Sequence, residues 1–335
     1  MGTISGSGMR DIVSHEPCHI DEVTSAPTAL EVVDGVDLTG KVCVITGASA
    51  GLGRESARAL ATTGAHVILA ARNRAALADT EAWVRAEVPD AKTSTVELDL
   101  TSLAAVRSAA EAISAMAPAI HVLMNNAGVM FTPFGRTTDG FEMQFGTNHL
   151  GHFELTHLLE PQLGAAGGAR IVNLSSDGHR LADVNLDDPN WQHREYDKFA
   201  AYGASKTANI LHAVELDRRL RDRAIRAYAV HPGVVATSLA RHMSRDDFTA
   251  LTEFVSSDPG QQKVDVRRDF TMPEQGAATQ VWAAVSSDLA DVGSVYLADC
   301  RIQDDQGGPA PYATDAAHAV RLWEVSERLC TSAGH

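Results

Sequence analysis

From residue 40 onward, short apolar runs alternate with longer stretches free of helix breakers. The runs Lys41–Ile45, His66–Ala71, Thr95–Leu100, His121–Gly128, Ile171–Ser176, Ile225–Val230 and Ser294–Leu297 are rich in β-branched residues and read as strands, most of them buried. Between them, Arg54–Ala61, Ala75–Val88, a stretch capped by Thr101 or Ser102, Gly140–Leu163 and Ala200–Arg221 read as helices. Strand–helix alternation of this kind builds βαβ units and a mostly parallel sheet. One doubly wound α/β unit covering residues 38–330 accounts for the pattern. Residues 1–37 stand apart: small polar residues, then scattered acids from Asp11 to Asp37, read as an irregular N-terminal extension.

The first strand runs into Thr46-Gly47-Ala48-Ser49-Ala50-Gly51-Leu52-Gly53, a glycine-rich turn ahead of a helix. Bare backbone there lets a pyrophosphate approach the helix N-terminus, where free N–H groups and the positive end of the dipole meet the charge. The spacing is G-x-x-x-G-x-G, not the commoner G-x-G-x-x-G. Polar residues gather where the other strands end: Asp99, Asn125, Ser176 and His231. In open α/β sheets those ends form the ligand crevice.

Composition narrows the picture. The chain has 335 residues, 44% of them hydrophobic, and a formal charge of −15, a balance that argues against nucleic acid and anionic membrane surfaces. No apolar run is long enough to span a bilayer. The four cysteines (Cys18, Cys43, Cys300, Cys330) show no metal-like spacing, so no metal is expected and a reduced, cytoplasmic location is.

The chemistry centres on Tyr202-Gly203-Ala204-Ser205-Lys206. Tyrosine and lysine four apart share a helix face, and a nearby ammonium favours the ionised phenol. Tyr196 is the competing tyrosine, but Ala200 stands where its lysine would be.

Taken together, Thr46–Gly53, Asn125-Asn126-Ala127-Gly128, Asn148, Ser176, Tyr202/Lys206 and His231-Pro232-Gly233 resemble the short-chain dehydrogenase/reductase family, in its order, over about residues 38–300. The resemblance implies a single Rossmann-type parallel sheet of order 3-2-1-4-5-6-7 and a nicotinamide cofactor. It implies that Ser176, the second of the pair Ser175-Ser176, orients the substrate oxygen and that Tyr202 is the general acid/base. Lys206 would hold the nicotinamide ribose and lower the tyrosine pKa, while Asn148 would anchor a water of the proton relay. The cofactor would lie against Thr46, Gly47, Ser49, Gly51, Leu52, Gly53, Arg72, Asp99, Leu100, Asn126, Ala127, Gly128, Tyr202, Lys206, Pro232, Gly233, Val235 and Thr237.

The second strand ends Ala70-Ala71-Arg72-Asn73-Arg74, without the acid that bonds a ribose 2′-hydroxyl. Arg72, with Arg54 adding to it, suits a 2′-phosphate, which favours NADP(H) over NAD(H).

Two substrate loops are expected. Residues 177–199, with His179 and Trp191, resemble the retinol-dehydrogenase-like branch, as do Asn148–Phe153 and Val295–Cys300. Residues 238–273 place Phe248, Leu251, Phe254 and Val255 at helical spacing, as in a lid helix with an apolar underside. Met130, Phe131 and Phe134 would form the opposite wall. The expected substrate is a lipophilic alcohol, aldehyde or ketone. Relatives in the family often pair through the helices of Asn148 and Tyr202, as homodimer or homotetramer, while the branch resembled also includes monomers. A non-catalytic cofactor-binding sensor or scaffold on the same fold is the alternative reading.

Overall fold

A computed structural model describes residues 26–235, 238–257, 271–303 and 307–333. The strands are β1 (Val42–Thr46), β2 (His66–Ala71), β3 (Lys92–Glu97), β4 (Val122–Asn125), β5 (Ala169–Leu174), β6 (Ile225–Val230), β7 (Val295–Ala298) and β8 (Arg301–Ile302). They form one sheet in the order 3-2-1-4-5-6-7-8. β1 to β7 run parallel, as the alternation of elements requires. The short antiparallel β8 is an addition to the expected order. Two residues carry no periodic signal, and the reversal before them is made by Asp299 and Cys300, both at positive φ.

The helices are α1 (Ala29–Val32), α2 (Gly51–Thr62), α3 (Arg74–Glu87), α4 (Leu103–Met116), α5 (Met143–Phe145), α6 (Gly151–Leu158), α7 (Glu160–Ala165), α8 (Lys198–Leu220), α9 (Arg245–Ser257), α10 (Pro273–Gly276), α11 (Ala278–Val285) and α12 (Ala316–Ser332). Alternate residues of each strand feed two apolar layers. Val44, Ile68, Leu123 and Ile171 pack with α4, α6, α8 and α12. Cys43, Ile45, Val67 and Met124 pack on the other side with α2, α3 and α11. β1 sits between β2 and β4, so the chain winds away from it in both directions. That switch point opens the crevice at the strand ends.

Three expected boundaries move. β3 starts at Lys92, three residues early, because this edge strand needs no apolar run; Leu98 and Leu100 are buried beyond its end instead. The helical stretch expected over 140–163 begins at Met143 and carries a π turn at Gly146–Leu150, where the Gly151 N–H reaches the Gly146 carbonyl. It breaks again at Leu159, ahead of Pro161 in the first turn of α7. Residues 26–37 pack on the body: Thr28 and Glu31 form a capping box on α1, and Ala29 and Val33 are buried.

α12 lies across α8 and α6. Trp323 meets the edge of Phe153 at 4.9 Å, and Ser326 bonds His149 at 2.7 Å. Pairing of two chains through α6 and α8 would therefore have to include or displace α12. Among the described residues, no helix is long and apolar enough to cross a membrane.

Candidate active site

The cleft beyond β1, β2 and β4 has a volume of about 610 Å³. Gly47, Ser49, Gly51, Leu52, Arg72, Asp99, Leu100, Asn126, Ala127 and Gly128 line it, all of them expected there. The turn after β1 is built for close approach. Gly47 has φ +67°, and a Cβ on it would stand 2.9 Å from the Ala127 Cα. A Cβ on Gly53 would come within 2.4 Å of the Gly47 carbonyl oxygen. Asn126 stitches the turn to the loop after β4 by donating Nδ2–H to the Thr46 carbonyl at 2.7 Å. Ala50, the N-cap of α2, offers no side-chain acceptor to the first turn. The free N–H groups of that turn remain for an anionic group.

Thr46 and Gly53 are buried beneath the turn and do not line the cleft. Arg54 departs from expectation: its guanidinium stacks 4.0 Å above the Trp83 ring and does not enter the cleft. Arg241, not anticipated from the sequence, also lines the cleft, with Leu239, from the turn at Ser238–His242. A 3₁₀ turn in a loop has no periodicity to announce it. Pro232, Gly233 and Val235 are half-buried beyond β6 and do not line the cleft. Thr237 lies outside the described residues, as do the side chains of Phe254 and Val255.

The four catalytic candidates converge where β5 and α8 meet the π turn. Asp197 caps α8 by accepting from the Phe199 and Ala200 N–H groups, which starts the helix two residues early. Tyr202 and Lys206 then face inward, both buried. Ser176 neighbours the Tyr202 phenol, on which it acts to favour ionisation, and accepts from the Gly178 N–H at 3.0 Å. Gly178 leaves room for the Tyr202 ring, because a Cβ would stand 2.6 Å from its edge. Phe131 meets that ring edge-on at 5.0 Å, and Phe199 lies 4.6 Å from Phe131. Phe134 is half-exposed against Tyr196.

Burial dominates the electrostatics. It pushes the Tyr202 phenol up to about 12, with Ser176 opposing, and brings Lys206 down to about 8. Burial thus outweighs the influence that lowers the phenol. The Lys206 Nζ sits 5.6 Å from the Tyr202 ring centre and donates to the Leu174 carbonyl at 2.9 Å. Asn209, not anticipated, donates to the same carbonyl at 3.0 Å.

Asn148 is fully buried in the π turn. Its side chain accepts from the Val129 N–H at 2.8 Å and donates to the Val129 carbonyl and to Ser205, both at 2.9 Å. Both its side-chain protons are thus used, so a water bound to this side chain would have to donate to Oδ1. Tyr196, the competing tyrosine, accepts from Gln144 and contacts Glu142, away from Lys206. His231 accepts from the Asp177 N–H, with its Nε2 facing that carboxylate at 3.3 Å. Among the described residues, no group of three or more His, Cys, Asp or Glu is placed to hold a metal ion.

Beside the cleft, and sharing Pro133 with it, a second hollow of about 600 Å³ is lined by Tyr196, Lys198 and Phe199. Lys198 reaches Asp247 of α9 at 2.6 Å. On α9, Phe248 and Leu251 are half-buried.

Residues 41–247 match the family description "short chain dehydrogenase". The chain is 40% identical to human retinol dehydrogenase 13 over 292 residues, 87% of this chain and 85% of that one. It is 36% identical to the chloroplastic short-chain dehydrogenase TIC 32 A of Brassica napus, covering 92% and 94%. Among solved structures, a protein from Mycobacterium Paratuberculosis superimposes with a TM-score of 0.69 at 34% identity, over 92% of this chain and 98% of that one.

Proposed function

The chain belongs to the short-chain dehydrogenase family, in its retinol-dehydrogenase-like branch, and from that premise we propose that it is an NADP(H)-dependent oxidoreductase acting on a lipophilic carbonyl or alcohol. The family binds a nicotinamide cofactor, which when bound supplies or takes up a hydride. The residues present fit that group. The bare turn at Gly47–Gly53 and the uncapped start of α2 suit its pyrophosphate, and Arg72 with Arg241 suits a 2′-phosphate.

The observation that carries the reading is the gathering of Ser176 and Lys206 about the buried Tyr202 phenol, against the Phe131 ring. In the reducing direction, Ser176 holds the substrate carbonyl oxygen and Tyr202 gives it the phenol proton as the carbon is reduced. A phenol held at about 12 carries that proton at neutral pH. Lys206 stabilises the phenolate left behind, and proton return runs past Asn148. Phe131, packed against Tyr202, and Phe199 beside it favour an apolar substrate.

The test compares wild type with Tyr202→Phe. NADPH and NADH binding is followed by fluorescence titration, and NADPH oxidation is assayed against aliphatic and aromatic ketones and aldehydes. The wild type binds NADPH more tightly than NADH and turns over at least one carbonyl. Tyr202→Phe binds NADPH as the wild type does and loses about a thousandfold in turnover. Retained turnover in the variant refutes the assignment. A wild type that binds NADPH and stays silent across the panel favours the sensor reading.

A further inference from the structure

His152 is buried on α6, away from the residues that line the cleft, yet its ring touches two parts of the site. Nε2 lies 2.8 Å from the Thr46 hydroxyl, and Nδ1 lies 2.9 Å from the Asn148 carbonyl. The Thr46 oxygen already accepts the Asn126 N–H at 2.9 Å and the Ala127 N–H at 3.0 Å. Both of its lone pairs are thereby used, so its one proton must be donated. The His152 nitrogen is much nearer than the other acceptor, the Met124 carbonyl at 3.4 Å. At the opposite edge of the ring the Asn148 carbonyl can only accept. The second contact puts a proton on Nδ1 and the first leaves Nε2 bare, so together they require the neutral ring with its proton on Nδ1.

These contacts close a circuit. The loop after β4 is gripped at one end by Thr46, through Asn126 and Ala127, and at the other by Asn148, through both backbone groups of Val129. Residues Asn126 to Val129 are one wall of the cleft. His152 joins the two grips.

We propose that His152 is a positioning residue that closes a hydrogen-bonded ring through Thr46, the Asn126–Val129 loop and Asn148, and so holds the cofactor-facing wall in register with the catalytic asparagine. This deepens the cofactor reading above and rests on it. Burial agrees with the bookkeeping, since it brings the ring down to about 4, aided by the charge on Lys206. A charged ring would place an N–H against a hydroxyl with no lone pair left to receive it.

The test uses the full chain with ¹⁵N-labelled histidine. Long-range ¹H–¹⁵N correlation at neutral pH is expected to show an Nδ1–H tautomer that vanishes in His152→Leu. An Nε2–H tautomer or a charged ring at that position overturns the ring. In parallel, the affinity for the nicotinamide nucleotide that the wild type binds is measured in Thr46→Val, His152→Leu and the double variant. His152→Leu weakens binding about tenfold in the wild-type background and changes it little once Thr46 is Val, because the circuit is already open. Additive losses, or unchanged affinity in His152→Leu, overturn the proposal. Should His152→Leu fail to fold, the tautomer in the wild type, assigned by selective labelling, decides. A wild type that binds neither NADPH nor NADH while His152 shows the Nδ1–H form sinks the cofactor reading and leaves the ring standing.

Discussion

The glycine-rich turn and the wall around Tyr202 are held by different means. At the turn, backbone meets backbone: Gly47 lies against Ala127, Gly53 against the Gly47 carbonyl, and Asn126 bonds the Thr46 carbonyl. Around Tyr202, side chains meet side chains: Phe131 against Tyr202, Phe199 against Phe131, Lys198 against Asp247. The first tolerates almost no substitution, because no rotamer can relieve a clash with a main-chain atom. The second can be rebuilt by many combinations of residues. On the proposed function, binding of the cofactor and choice of the substrate would thus sit on walls of different rigidity.

That contrast breaks most sharply at Gly53→Ala. With backbone in the way of the new methyl, the turn must open; cofactor binding should be lost and stability should fall by about 1–3 kcal/mol, read by nucleotide titration and thermal melting. An alanine at Gly178 probes the other wall. There the obstacle is the movable Tyr202 ring, so nucleotide affinity should change little while turnover drops about a hundredfold as the phenol leaves its place. Equal loss of affinity in both variants would erase the distinction.

A smaller effect comes from pH. Burial brings Lys206 down to about 8, so its ammonium is present below that pH and lost above it. Reductive kcat/KM should therefore fall as pH rises through about 8, and a profile flat to pH 10 would deny Lys206 its role.

The smallest effect is on stability in acid. His149, His152 and His179 are buried and held near 3, 4 and 4, against 6.5 when unfolded. Between about pH 6.5 and 4 the unfolded chain binds more protons than the folded one, so stability declines as pH falls through that window. Thermal melting from pH 7 to 4 should show Tm dropping. A His152→Leu variant that melts with a shallower pH slope would sharpen the point.

Sequence alone determined the parallel sheet and its winding, because strand and helix periods differ and the turn after β1 requires glycines wherever backbone crosses backbone. Those demands are local and leave a mark in the spacing of residues. Tertiary structure decided the rest. Arg54 looks available for a phosphate until Trp83, from another helix, takes its guanidinium. Arg241 enters the cleft from a turn with no pattern of its own, and nothing in the sequence pairs His152 with Thr46, on a strand 106 positions away. Lys206 shares a helix face with Tyr202, yet how far burial would shift both groups depended on walls contributed by distant segments. Contacts between residues far apart in the chain leave no periodic trace, since any residue of suitable size and polarity can make them.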